Sequence, residues 1–265
     1  MSVLASLVKK SVFDGGHKLD RFITDTLGRY VEYVPVCPEF ECGLGVPREA
    51  MRLVGDPSNP RLVTTHTRVD DTERMVAWAR TRVKELEHEE LCGFIFKSNS
   101  PSSGVERVRV YDEHGVPSKR GVGIFARIFM QTFPRMPVEE DGRLHDMKIR
   151  ENFIERIFTL KRLRDTLAAG KRRGNLVVFH TRHKLLILSQ SPKHLVMMGN
   201  LVAHAKGMSS DELFSRYETM LMDAMALKAT PSKHVNVLHH AMGYFKEHLS
   251  SDEKKRTARG SRRIS

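Results

Sequence analysis

Short apolar runs and helical stripes alternate along the first half of the chain. The runs at residues 3–8, 31–36 and 91–96 predict strands, and the last is apolar on both faces, as a central parallel strand must be. Between them, apolar residues recur every three or four positions at residues 19–27 and 71–86, which predicts two helices. This alternation predicts an α/β fold: a parallel, Rossmann-like sheet with right-handed crossovers and helices on both faces.

Weaker patterns predict the remaining elements of this half. Residues 48–54 are expected to form a short helix, and residues 61–65 and 108–111 to form strands. Residues 122–133 predict an apolar helix that ends before Pro134.

The second half carries helical stripes only, so an all-α domain is expected to follow the α/β domain. Ser209 and Glu212 have the spacing of a capping box at the start of one helix. The predicted helices cover residues 149–167, 176–188, 213–224 and 231–245. We therefore divide the chain into an α/β domain over residues 1–138, a helical domain over 139–249, and a basic, disordered tail over 250–265.

The excess of positive over negative charge lies in the second half. Residues 1–140 hold 20 Lys and Arg against 20 Asp and Glu, whereas residues 141–265 hold 24 against 12 and account for the net charge of +12. Nine of the 13 histidines are there too. A polyanion such as nucleic acid is the natural partner of such a surface, although a basic surface that only keeps the protein in solution explains the charge equally well.

The chain has the composition of a cytoplasmic protein. No window reaches the 18 or so uninterrupted apolar residues that a membrane span needs, so no membrane partner is expected. In the first ten residues the charges follow the apolar residues, which is the wrong order for a signal peptide. Three cysteines, an odd number in a chain of 265 residues, do not make a disulfide framework.

The candidate chemistry lies where the predicted strands end. Three of the strands end near Ser6, at Cys37 and at residues 98–104, and parallel strands present their carboxyl ends at one edge of a sheet. These three loops are therefore expected to surround one ligand. A lone cysteine is more often a small buried hydrophobe, but Cys37 is followed by Pro38 and Glu39 in a glycine-containing loop, which favours a functional role.

Histidine pairs in the helical half are a weaker signal. His180 and His183 lie about one helical turn apart, a spacing that suits a metal ion. No carboxylate or thiol accompanies them at a fixed spacing, so we favour solvated or core histidines.

Three motifs of the first half resemble those of the thiouracil desulfidase-like family. They are FDGGHK at residues 13–18, VCPE at 36–39 and KSNSPSSG at 97–104, and the resemblance covers about the first 135 residues. The segments FHTRHKLLILSQSP and TPSKHVNVLHHAMGYFKEHL resemble the YbgA-type helical domain that is fused behind it in two-domain bacterial proteins.

The resemblance implies a four-iron four-sulfur cluster held by three cysteines, with one iron open to accept sulfur from a thiolated nucleobase such as thiouracil. Cys37 corresponds to the middle ligand, while the first and third cluster-binding positions are Ser6 and Ser103. Glu39 and Ser100 correspond to groups that orient the substrate or transfer a proton.

The two serines change what is expected of this chain. A hydroxyl is far less acidic than a thiol and is a harder donor to iron, so each exchange weakens the site. Cys42, in the same loop as Cys37, is the remaining source of a second thiolate. We expect a desulfidase-like protein with impaired activity; the alternative is a cluster-free protein that binds a nucleotide or RNA.

The last residues, 254–265, carry six Lys and Arg without a helical period. They are typical of a nucleic-acid-binding arm or of a truncated or frameshifted end to the helical domain. No aromatic residue accompanies the charge, which favours truncation or a frameshift.

The charge distribution generates a first prediction: the basic half binds RNA or DNA weakly and without sequence preference. Affinity for a labelled oligonucleotide, measured by fluorescence anisotropy, should fall steeply with salt because each neutralised phosphate releases counterions. Deleting residues 254–265 removes six positive charges and should flatten that salt dependence. Binding that is absent at low salt, or equal at low and physiological salt, would leave the charge as a solubility feature.

Overall fold

In the part of the first half that the structure describes, the strands form two four-stranded sheets. The computed structural model describes residues 2–6 and 20–245, together with Ser250 and Glu253. The strands in this part of the chain are β1 (Ser2–Ser6), β2 (Val31–Pro35), β3 (Met51–Val54), β4 (Arg61–Thr64), β5 (Gly93–Phe96), β6 (Val108–Tyr111), β7 (Pro117–Gly121) and β8 (Val138–Glu140). One sheet has the order β2-β1-β5-β8 and is parallel throughout, and the other has the order β4-β3-β6-β7.

The second sheet corrects the prediction of a single parallel sheet. It is mixed, because β3 pairs with β4 and β6 with β7 in antiparallel fashion, while β3 pairs with β6 in parallel. The connections explain the antiparallel pairs. Only six residues separate β3 from β4, with Gly55 at a φ of 91°, and five separate β6 from β7, too few for a parallel crossover.

The helix predicted over residues 48–54 is wrong. Met51–Val54 form β3 instead, and Leu53 is fully buried against Leu62 of the neighbouring strand and the second sheet's core. The stretch is too short to carry a helical period, so its pairing with β4 decides its structure. The strands predicted around residues 31–36, 61–65, 91–96 and 108–111 are confirmed.

Aromatic packing joins the parallel sheet to its helices. Phe94 and Phe96 lie on the same face of β5 and pack against α1 (Thr72–Leu86) and α2 (Ile124–Thr132), both predicted from the sequence. The ring of Phe129 on α2 lies 4.6 Å from that of Phe94 and 5.5 Å from that of Phe96. Tilted and edge-to-face ring pairs have preferred arrangements, and they stabilise the contact beyond the effect of the apolar area that the rings bury.

The strand β8 is absent from the sequence-based prediction. It runs parallel to β5, with Phe94 opposite Val138 and Phe96 opposite Glu140. Three residues, two of them glutamates, are too few and too polar to show a strand pattern.

The second half is helical, as predicted. The helices are α3 (Met147–Ala168), α4 (Arg173–Gln190), α5 (Pro192–Ala203), α6 (Ser210–Ala226) and α7 (Pro231–Tyr244). Ser209 accepts a hydrogen bond from the Glu212 N–H at 3.2 Å, which confirms the predicted cap. The sequence did not predict α5. It begins at Pro192, with a single residue between it and the end of α4, so no polar loop separates the two helices in the sequence.

The chain divides into two compact units between Phe153 and Ile154, inside α3. The domain boundary at residue 138 stays a prediction. Within the described residues, no helix is both long and apolar enough to cross a membrane. The FDGGHK motif at 13–18 and the basic residues 254–265 lie outside the described part of the chain.

Candidate functional site

Three strand ends meet at one edge of the parallel sheet. Ser6, the last residue of β1, is in register with Pro35 of β2 on one side and with Ile95 of β5 on the other. Cys37 follows two residues after Pro35, and Lys97 directly follows the end of β5. The backbone thus brings the three predicted loops to the same edge, where ligands collect in parallel sheets.

The loop after β2, residues 36–45, is the cysteine loop. Val36 is fully buried, whereas Cys37 is half-buried. Glu41 fixes the backbone here, because its N–H donates to the Cys37 carbonyl at 2.7 Å and its carboxylate accepts the Cys37 N–H. Arg82 on α1 holds that carboxylate in turn, with its Nε 3.3 Å from Glu41 Oε2. Glu41 therefore holds both the N–H and the carbonyl of Cys37 by hydrogen bonds.

The loop after β5, residues 97–104, is the serine loop, and it faces Glu39 of the cysteine loop. The Ser100 hydroxyl donates to Glu39 Oε1 at 3.3 Å, and the Ser102 hydroxyl donates to the same oxygen. Arg48 Nη2 lies 3.8 Å from the other carboxylate oxygen. The side chains of Arg48 and Glu39 are only 11% and 13% exposed, so the charge of Glu39 is held largely away from water.

Ser103 belongs to the same hydroxyl network. Its Oγ lies 3.1 Å from Ser102 Oγ, and its backbone N–H donates to Ser100 Oγ at 3.3 Å. The Ser100 and Ser102 hydroxyls are themselves 2.9 Å apart. Ser102 and Ser103 are 0% and 1% exposed, and such buried hydroxyls require hydrogen-bond partners, which the network supplies. We name Glu39, Arg48, Ser100, Ser102 and Ser103 the carboxylate–serine cluster.

Three members of this region were not singled out from the sequence. Ser102 lies between two predicted site residues, and its alternation with Ser100 in the SPSS segment was the available signal. Arg48 lies in the stretch that was predicted as a helix. Glu41 accepts the Cys37 N–H with its carboxylate. A glutamate four residues after a cysteine is common in any helical turn, so the sequence does not indicate this contact.

Comparison with known proteins gives the chain a family. A family model described as 2-thiouracil desulfurase matches residues 5–141, just over half of the chain. The chain belongs to the 2-thiouracil desulfurase family. A second model, for a protein of unknown function, DUF1722, matches residues 184–260 of this desulfurase-family chain.

One relative and one solved structure each match a part of the chain. The chain is 33% identical over 109 residues to the uncharacterized protein YbgA of Escherichia coli (strain K12). That match covers 41% of this chain and 64% of the relative, so the chain spans less than two thirds of the relative's length. A solved structure of the [4Fe-4S]-dependent thiouracil desulfidase TudS is 21% identical, covering 55% of this chain and 93% of that one, with a TM-score of 0.43.

The donor set does not fit the cluster that the family resemblance implies. Of the three expected ligand positions only Cys37 carries a thiol, and the Ser103 hydroxyl is buried and already hydrogen-bonded to Ser102. Within the described residues, no three or more His, Cys, Asp or Glu side chains are grouped to hold a metal ion. A single soft thiolate with two hard hydroxyls is a poor set for iron–sulfur chemistry.

Cys42 and Cys92 are the two remaining thiols of the chain. The Cys42 S–H donates to the Glu39 carbonyl at 3.4 Å, and burial raises the pKa of the Cys42 thiol to about 11. In the absence of a metal ion the Cys42 thiol is therefore protonated at neutral pH. Cys92 is fully buried just before β5, at the opposite end of that strand from the serine loop.

The paired histidines of the helical unit have structural partners. His180 Nδ1 lies 3.1 Å from the hydroxyl of the fully buried Tyr217, and His183 Nδ1 lies 2.8 Å from the Phe179 carbonyl oxygen. Burial lowers the pKa of both rings, so the neutral forms are favoured. This agrees with packed rather than metal-binding histidines.

The raised pKa generates a prediction for thiol reactivity in this desulfurase-family chain. Between pH 8 and 10, below the pKa of about 11, the thiolate fraction of Cys42 grows about tenfold for each pH unit. Its alkylation by iodoacetamide, followed by peptide mass spectrometry, should accelerate by about the same factor. Cys92 is the internal control and should react only after unfolding. Labelling of Cys42 at a rate that does not change over this range would contradict the assignment.

Proposed function

We propose that the α/β unit binds a thiolated pyrimidine, or a related thio-compound, at the carboxylate–serine cluster, and that its desulfidase activity is impaired. The family supports the substrate class. The impairment follows from Ser6 and Ser103, which stand where the resemblance implies two of the three cluster cysteines.

The observation that carries the binding proposal is the environment of Glu39. Its carboxylate is mostly buried at the meeting point of two strand-end loops, beside the Ser100 hydroxyl and the Arg48 guanidinium. A carboxylate accepts hydrogen bonds only, while a hydroxyl both donates and accepts. Together they match the ring N–H and the exocyclic oxygen or sulfur of a pyrimidine.

Each residue then has a stated task. Glu39 accepts the ring N–H of the ligand, and Ser100 donates to the exocyclic atom beside it. Arg48 and Ser102 keep the carboxylate oriented when no ligand is bound. Ser100 is half-buried, whereas Ser102 and Ser103 are buried, so Ser100 is the hydroxyl best placed to meet a ligand.

The serines at positions 6 and 103 generate a prediction for metal content. Anaerobic reconstitution of the native chain with iron and sulfide should give well below one cluster per chain, and Ser6→Cys with Ser103→Cys should raise it sharply, because two thiolate donors are restored. Ser58→Cys with Ser118→Cys adds two thiols away from these loops and should not raise it. About four irons held stably by the native chain would refute the claim of a degenerate site.

The environment of Glu39 generates a prediction for ligand binding. Glu39→Gln should weaken 2-thiouracil binding, measured by isothermal titration calorimetry, by about 10- to 100-fold, since a hydrogen bond to a charged acceptor is lost. Ser100→Ala should weaken it less, by about tenfold. In the cysteine-restored protein both changes should lower desulfuration and leave iron content unchanged.

The control for Glu39→Gln is Glu113→Gln, which removes an exposed charge in the turn between β6 and β7. Its affinity should equal that of the native chain. If Glu39→Gln binds 2-thiouracil as tightly as Glu113→Gln does, the ligand does not use the carboxylate–serine cluster.

A second candidate function, binding of a nucleotide or RNA, is favoured by the charge excess of the helical half. Part of that charge has local partners: Lys171 pairs with Asp211, and Arg173 donates to the carbonyls of Val202 and Ala203 at the end of α5. The salt-dependence experiment given above separates this candidate from a charge that serves solubility.

A further inference from the structure

The serine loop is fastened at its start by the residue that follows β8. Asp141 Oδ2 lies 2.6 Å from Lys97 Nζ, and Asp141 Oδ1 accepts the Ser98 N–H at 2.9 Å. The Ser98 hydroxyl accepts the Gly142 N–H at 3.0 Å, which closes a reciprocal pair between the two strand ends. Hydrogen bonds from Lys97 and Ser98 keep the pKa of Asp141 below its usual range despite burial, so the carboxylate is charged at neutral pH.

The end of the same loop is fastened by the residue just before Asp141. Glu140, the last residue of β8, is 5% exposed, and its Oε1 accepts the N–H of Val105 at 2.7 Å and that of Glu106 at 3.4 Å. Arg143 adds a further contact, since its guanidinium pairs with the Glu106 carboxylate. Two adjacent carboxylates thus hold the two ends of one loop.

The middle of the loop is held by backbone contacts with the start of α2. The Phe125 N–H donates to the Ser102 carbonyl at 2.9 Å, and the Gly123 N–H donates to the Gly104 carbonyl at 2.8 Å. A Cβ at Gly123 would lie 2.4 Å from the Ser102 carbonyl carbon, so only glycine allows this approach. These contacts hold Ser102 and Gly104, while the two carboxylates hold the residues on either side, Lys97 and Ser98 before them and Val105 and Glu106 after them.

We infer that Glu140 and Asp141 are positioning residues of the ligand site, which hold the serine loop so that Ser100 and Ser102 meet the carboxylate of Glu39. The inference rests on the proposed function for its ligand. Its physical basis is the shape of the loop, which leaves β5 and returns to β6 with Asn99 in the left-handed region at a φ of 58°. Asn tolerates this region, and the hydrogen bonds of Asp141 and Glu140 on either side of the loop fix where it lies.

Burial makes Glu140 the stronger of the two. A carboxylate in this setting stabilises the loop only while it accepts backbone N–H groups, and its loss leaves the Val105 and Glu106 N–H groups without that acceptor. The released end is two residues from Ser103, so slack there reaches the hydroxyl network directly. If Glu140 contributed only to the stability of the fold, its loss would speed hydrogen exchange in other parts of the α/β unit as well as in this loop.

The test measures loop opening and ligand affinity in the same variants of the full chain. Glu140→Ala should speed hydrogen exchange at the N–H groups of Ser103, Val105 and Glu106 by about tenfold or more, and weaken 2-thiouracil binding by about tenfold. Glu140→Gln retains an oxygen acceptor, so it should stay within about threefold of the native chain in both. Asp141→Ala should act in the same direction at Ser98, because it removes the oxygen that accepts the Ser98 N–H.

The matched control is Asp112→Ala. Asp112 also accepts two backbone N–H groups, those of His114 and Val116, but in the exposed turn between β6 and β7. It should change neither the exchange of the serine loop nor the affinity. The fluorescence of Trp78, the only tryptophan of the chain, whose ring lies 5.2 Å from that of Phe125, verifies that the α/β unit of each variant is folded.

Distinct outcomes decide the positioning role and the proposed function. Unchanged exchange at Ser103 in Glu140→Ala overturns the inference, and so does an equal loss of affinity in Glu140→Gln and Glu140→Ala. If the native chain fails to bind 2-thiouracil, the proposed ligand is wrong, and accelerated exchange in Glu140→Ala with rescue in Glu140→Gln still supports the positioning role. Faster exchange, weaker binding and rescue by glutamine together support both.

Discussion

The parallel pairing of β1 with β2 and β5 is the constraint on which the candidate site depends. Register places Ser6 between Pro35 and Ile95, so the loops that follow the three strands start side by side. The chemistry of the site then depends on the side chains that those loops carry. In this chain they carry the Cys37 thiol and the hydroxyls of Ser100 and Ser102, which hydrogen-bond to the carboxylate of Glu39.

In this chain the hydroxyls and one carboxylate satisfy each other. A mostly buried carboxylate is costly unless hydrogen bonds and a nearby cation compensate for lost water, and Glu39 has both, from Ser100, Ser102 and Arg48. The buried Ser102 and Ser103 hydroxyls in turn need partners and find them in the same network. The serine at position 103 is therefore an integral part of this arrangement, which a thiol of larger size and weaker hydrogen bonding would change.

The helices and strands with a strong hydrophobic pattern could be predicted from the sequence, whereas short or polar elements could not. The long stripe of α1 and the apolar β5 are set by burial, which leaves a clear pattern. In contrast β3 and β8 are strands because a neighbour pairs with them, and pairing leaves no mark in four or three residues. The site followed the same rule: Cys37, Glu39 and Ser100 stand out by motif, whereas Glu140 and Asp141 acquire meaning only once β8 is seen beside β5.

The network around Glu39 also explains how a ligand can enter without leaving a buried hydroxyl unpaired. A ligand N–H that takes Glu39 Oε1 competes with Ser102, whose hydroxyl is buried and cannot turn to water. Ser102 Oγ, however, lies 2.9 Å from Ser100 Oγ, so it can donate to that oxygen instead and still accept from the Ser103 hydroxyl 3.1 Å away. The displaced hydrogen bond is replaced within the loop, which removes the penalty that an orphaned hydroxyl would impose on binding. That exchange works only while the three serines keep their spacing, and their spacing is what the fastened ends of the loop preserve.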